Sequence, residues 1–222
     1  MRIGFVSRGR LRAFKEEYCN SCDRDRTDIL LFGFDGVGEV SYEKELKGES
    51  GFFEDVALLS KAGQNVVISG CVTDTRGIKR KSAVVAEKGK LLGVSDILHA
   101  IDGKIGCGAG LKIYPTECGK IGVVVAEDLF FAETVGALSL CGCDFIVCPF
   151  GKITDSLQSV LLRANAFHCG VPILLCGQGY CMVAKPTGEL VFASPQSPAF
   201  FNLENGKEYH LVETRRRMYF QL

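Results

Sequence analysis

Charge of one sign is what this sequence most plainly lacks. Its 222 residues carry 26 Lys and Arg against 26 Asp and Glu, a formal net charge of zero. No electrostatic footprint for nucleic acid or for an acidic membrane surface follows from that balance. The basic run near the end, Arg215-Arg216-Arg217, reads as a solvated tail. Also lacking is any apolar run near the roughly 20 residues that span a bilayer. The opening Met-Arg-Ile-Gly-Phe-Val-Ser has the pattern of a strand, not of a signal sequence. Internal repeats and low-complexity segments are missing too. Gly33-Phe34-Asp35-Gly36-Val37-Gly38 is glycine-rich but has no Lys-Ser/Thr and opens into no strong helix, which argues against a phosphate loop. These absences predict one cytoplasmic domain over 1–222, with neither nucleic acid nor membrane as partner.

Cysteine, by contrast, is abundant, at 11 residues. An odd count in a chain read as cytoplasmic predicts reduced thiols, not a disulfide framework. Cys19-x-x-Cys22 has no second Cys or His pair at zinc-finger spacing, so neither a metal nor a cofactor is expected from it. Cys141-x-Cys143 and Cys148 fall where a helix meets a buried strand, and core packing is the expectation there.

Arg2 to Val6 and Asp28 to Phe32 read as buried strands flanking a helix-compatible segment from about Arg10 to Arg24, a βαβ-type beginning. A helix over Phe52–Ala62 is predicted to end at Gly63, and Asn65–Cys71 is a third strand. Ser82 to Val94 forms a hairpin turning at Lys88-Gly89. After Asp144–Cys148, a helix over Ser156–His168 places Leu157, Val160, Leu161 and Ala164 on one side. Pro172–Cys176 and a last hairpin around Pro186-Thr187-Gly188 follow. Strands outnumber helices, which predicts α/β layers of sheet covered by helix.

One stretch organises the rest. Val123-Val124-Val125 is a β-branched run of the kind buried on both faces of a sheet. It breaks into Glu127-Asp128 and then a helix over Ala132–Leu140, where acidic groups suit the positive helix end. Many folds display a nucleophile at such a turn. Here the tip is Ala126.

Gly119-Lys-Ile-Gly122, Asp128 and Glu133 resemble the nucleophile elbow of the nitrilase, or carbon-nitrogen hydrolase, superfamily, written G-K-I-G-V-x-I-C-x-D-x-x-F-P-E. Asn65–Gly70, the Ser82–Gly93 hairpin, Arg163-Ala-Asn-Ala-Phe167 and Pro186-Thr-Gly-Glu189 are similar to further segments of that family, in the same order. The resemblance implies a four-layer α-β-β-α sandwich, a homodimer, and a Glu-Lys-Cys triad acting on non-peptide carbon-nitrogen bonds. The triad positions fall on Phe34, Asp96 and Ala126. None carries the family's chemistry: without a thiolate no covalent intermediate forms, and a carboxylate repels an oxyanion.

The expectation is therefore a non-catalytic small-molecule-binding or assembly module. The alternative is an amidase- or nitrilase-type hydrolase working through substitutes, with Cys71 or Cys176 as nucleophile and Asp35 or Glu127 as base. A purely structural partner of another protein is a third reading. His99 and His168 are read as a loop and a helix-end residue. If Asp35, Asp96 and Glu127 converge, their pocket should favour an amine or another cation; an amide or nitrile is the ligand otherwise implied. The competing expectation is that these carboxylates are solvated or paired with Arg80, Lys81 or Arg163.

Overall fold

The computed structural model describes residues 1–20, 27–153 and 156–204. Strands β1 (Arg2–Val6), β2 (Ile29–Phe32) and the long β4 (Val66–Thr75) lie parallel, as continuous apolar runs joined through helices should. Between the first two runs α1 (Leu11–Asn20), and before the third β3 (Gly38–Ser41), α2 (Tyr42–Leu46) and α3 (Phe52–Gly63). Phe53, Val56 and Leu59 of α3 are buried, as its periodicity predicts. Its left-handed C-cap is Gln64 (φ 50°) and not Gly63, because the helix runs one residue further than expected.

The hairpin of β5 (Ile78–Glu87) and β6 (Lys90–Asp96) turns at Lys88-Gly89, both with positive φ (46° and 91°), the twist a two-residue hairpin needs. A second sheet contains β7 (Ile113–Thr116) and β8 (Gly119–Val123), followed by a 3₁₀ turn over Ala126–Phe130 and α4 (Ala132–Leu140). Next come β9 (Phe145–Lys152), α5 (Leu157–Cys169), β10 (Ile173–Gln178), β11 (Tyr180–Ala184) and β12 (Leu190–Ser194), while β13 (Ala199–Asn202) returns to pair with β1.

The two sheets run β13-β1-β2-β4-β5-β6, with β3 along the far end of β4, and β12-β11-β10-β9-β8-β7. One core lies between the sheets, built on Phe5, Leu31, Ile68, Val85, Ile121 and Val147. A second lies under α4 and α5, around Leu129, Leu138, Leu162 and Leu175. A third lies under α1 and α3, around Leu30, Phe32, Leu59 and Val84. The order helix, sheet, sheet, helix is the four-layer sandwich expected. Each strand must be apolar on both sides to serve two cores, which explains the unbroken runs in the sequence.

Helix α5 departs from the expectation. Gln158, Leu162, Asn165, Ala166 and Cys169 face the core, while Leu157, Val160 and Phe167 stand 47%, 56% and 52% exposed. Apolar residues occur nearly all round this helix, so periodicity alone does not select the packed side. Asn165 decides it: its Nδ2 donates to the Leu129 carbonyl at 2.8 Å, a bond available only on the inner face.

Cysteine packing follows the expectation in part. Among the described residues nine cysteines are free; Cys143 and Cys148 are buried, but Cys141 is exposed on the turn after α4. Cys22 and the run 215–217 lie outside the described residues. No helix of the described residues is long and apolar enough to cross a membrane.

Candidate functional site

Ala126 sits at the end of the strand that begins as β8, with a φ of 49°. A non-glycine residue held in the left-handed region is strained, and such strain marks a sharp turn whose surroundings over-determine it. Three contacts hold this elbow. Asp128, buried, accepts the backbone N–H of Leu98 and of His99, each at 2.8 Å. Its Oδ1 also accepts from His99 Nδ1 at 3.0 Å, and the His99 ring stacks on Phe131 with centroids 4.1 Å apart. Asn165 holds the next carbonyl of the turn, and the Cys148 thiol faces the Ala126 carbonyl at 3.8 Å. Asp128 thus staples the elbow to the segment that follows β6.

The residues singled out from sequence are scattered by this arrangement. Phe34 is half-buried between the sheets, its backbone and ring lying over Gly70, where an added Cβ would come within 3.1 Å of them. Asp35 beside it is exposed. Asp96 does not face the elbow. It stands in a row across the sheet with Ser82 and Cys71, and its Oδ1 accepts the Ser82 hydroxyl at 2.6 Å. That row lies on the helix-covered side, as Cys71 and Val84 do. The physical reason is a bulge. Leu91 pairs with Ala86 but Gly93 pairs with Val85, so one extra residue enters β6. A one-residue shift reverses which face every later side chain occupies. The position turned toward the elbow is Ile97, buried in the core between the sheets.

Glu127 is the one carboxylate of the three at the elbow, and it is paired: Lys81 Nζ donates to its Oε1 at 2.5 Å. Lys81 is one of the three basic residues expected to pair with these carboxylates. The three carboxylates therefore do not converge. Among the described residues no group of three His, Cys, Asp or Glu side chains could hold a metal ion.

Neither candidate thiol is poised for attack. Burial pushes the Cys71 thiol well up, and the nearby Asp96 charge pushes it further. Cys176 lies in the core between the sheets, its backbone against Gly33; burial raises it well above the ordinary thiol range despite the Gly33 and Val6 amides. A nucleophilic cysteine needs the opposite shift and some exposure. Tyr42, on the Asp96 side, is pushed up to about 12 by burial and then by Asp96. His168 is exposed at the last turn of α5.

Lys81 and Ile97 are the site residues that motif matching missed. Counting alternation outward from the Lys88-Gly89 turn reaches Lys81 directly along β5, but reaches Ile97 only with the extra residue in β6 allowed for. With Glu127 they line an open cavity of about 350 Å³ under the loop that follows β6.

No protein-family model matches this sequence, and no curated protein matches it. Solved structures do. A variant of the amidase from Nesterenkonia AN1, of the nitrilase superfamily, superposes with a TM-score of 0.79 at 15% identity, covering 100% of this chain and 96% of that chain. The NitN amidase of the same source gives 0.78 at 15% identity, over 100% and 98% of the two chains. A further structure of that amidase, at 0.78, 15% identity and the same coverage, carries acrylamide added at its active-site cysteine. The chain therefore has the fold of a nitrilase-superfamily amidase.

Proposed function

We propose that this chain is a nitrilase-fold protein without hydrolytic chemistry, a binding and assembly module that works as a homodimer. The observation that carries this reading is the character of the elbow's surroundings. Phe34, Ile97 and Ala126 belong to or pack on the apolar core between the sheets, where amide hydrolysis needs a base, an oxyanion donor and a nucleophile. None of these three side chains moves a proton, and the ionisable groups beside them, Lys81 and Glu127, are tied up in an ion pair with each other. The fully buried thiols and the paired Glu127 argue against substitutes. Free cysteines support a reducing, cytoplasmic setting.

The test is ammonia release from a panel of amides, nitriles and N-carbamoyl compounds, with a heat-killed control. The expected result is no release above control. Release abolished by thiol alkylation would overturn the reading and turn attention to Cys176. Release that survives alkylation would overturn it too, in favour of a carboxylate and water. Restoring the thiol alone should change nothing: Ala126→Cys is expected to stay at control. The absent base and oxyanion donor together hold the rate back by roughly 10⁴ or more.

The exposed face of α5 supports the homodimer. Burying the exposed half of Leu157, Val160 and Phe167 against a partner stabilises an interface by about 1 kcal/mol for each side chain. Sedimentation of the wild type should give a dimer. Val160→Glu combined with Phe167→Glu should weaken it by about a hundredfold or more, since each charge would be desolvated in an apolar contact. An unchanged dimer would place the interface elsewhere.

A further inference from the structure

The cavity beside the elbow has a composition that neither a hydrolase site nor simple packing explains. Its apolar part is aliphatic: Ile97 at the floor, with Ala100, Ile101 and Ile105 from the following loop. Ile101 is 63% exposed at the cavity's mouth. The loop is pinned by Ile105 N to Asp102 O (2.9 Å) and Gly106 N to Lys79 O (2.8 Å), so the cavity wall is fixed by backbone. The polar part is the Lys81–Glu127 ion pair, with side chains 30% and 24% exposed, and Asp102 at the rim.

We propose that this cavity binds a free aliphatic α-amino acid of about leucine size as its zwitterion. The inference rests on the non-catalytic reading above and names the ligand. An ion pair at a cavity wall is a fixed dipole. A zwitterion laid antiparallel to it places its carboxylate on the Lys81 ammonium and its ammonium on the Glu127 carboxylate, so the charges of ligand and ion pair alternate, with Asp102 left at the solvent rim. A simple amine can pair with Glu127 or Asp102 but brings no anion to Lys81. A simple carboxylate meets Glu127 and Asp102 and is repelled. The aliphatic walls then accept a branched side chain, and about 350 Å³ is near the lower end of the roughly 300–1,000 Å³ typical of ligand sites.

The test is calorimetric titration of the full chain with L-leucine, 3-methylbutylamine, 4-methylpentanoate and glycine. Leucine is expected to bind at least about tenfold more tightly than each of the others, the loss typical of one unpaired charge or one lost apolar contact. Lys81→Met and Glu127→Gln should each lose at least about tenfold in leucine affinity. A methyl NMR titration of the unaltered protein needs no variant: the Ile97, Ile101 and Ile105 methyls should shift with leucine while Ile29 stays. The inference is overturned if leucine produces no heat, if the amine or the acid matches it, or if the shifts fall outside those methyls. Ammonia release measured on the same samples separates the two readings. Hydrolysis would sink the non-catalytic assignment, whereas absent leucine binding in an inactive protein sinks this inference alone.

Discussion

Raised from pH 8 to about pH 10.5 under reducing conditions, the protein should lose roughly 6 kcal/mol of stability, as much as many domains possess. Cys71, Cys148 and Cys176 are fully buried, and burial holds each thiol well above its ordinary value near 9. In the unfolded chain these thiols ionise near 9; in the folded chain they stay protonated. Above that pH the unfolded state binds fewer protons, so stability falls as pH rises. The slope is about 1.4 kcal/mol per pH unit for each thiol, or about 4 for the three. Below the unfolded value the contribution is fully present. Cys181 and Cys118, each pushed up to about 11, and Tyr42, pushed up to about 12, act in the same direction. Urea midpoints at pH 8, 9 and 10 read the slope directly, and Cys176→Ala should flatten it by about a third. A profile level from pH 8 to 10 would show that these thiols are not sealed as described.

Asp128→Ala should destabilise the fold by about 3 kcal/mol, the largest cost expected from any single change at the elbow. The carboxylate is buried and accepts two backbone N–H groups and the His99 ring. Alanine leaves all three donors without their acceptor and frees the segment after β6 from the turn. Asp128→Asn keeps one oxygen but turns an NH₂ toward the other donors, so it should cost about half as much. The measurements are chemical denaturation and hydrogen exchange over residues 97–109. Unchanged exchange there in the alanine variant would mean that the loop is held by its hydrogen bonds to Lys79, Arg80 and Lys81 without the staple. Leucine-type ligands should also weaken in this variant, because Ile97 and Ala100 flank the stapled residues.

The strands, the hairpin turn and the elbow were legible in the sequence because each rests on local chemistry. Val123-Val124-Val125 is apolar on both faces wherever it is placed, and Lys88-Gly89 tolerates positive φ as a pair. The motif matches also meet in space: Arg163 Nε donates to the Gly188 carbonyl at 2.8 Å, joining two segments that resembled the family separately. The side chains around the elbow were not legible to the same degree. Asp96 was placed there by counting from a motif, and an extra residue in β6 moved it to the other face. The packed side of α5 is not legible from hydropathy, because its buried face is anchored by Asn165, a polar residue that hydropathy assigns to solvent.

By itself, then, the sequence determined the order of strands and helices, the layering that continuous apolar runs demand, and the presence of an alanine at the tip of the elbow. Only the tertiary structure decided that Ile97 and not Asp96 faces the elbow, that Glu127 is held by Lys81, and that Leu157, Val160 and Phe167 of α5 stand exposed among the described residues. The reason is one of range. A strand's existence depends on neighbours in sequence, whereas the face a side chain occupies depends on register, and register is set by a single bulge and by hydrogen bonds between segments far apart in the chain.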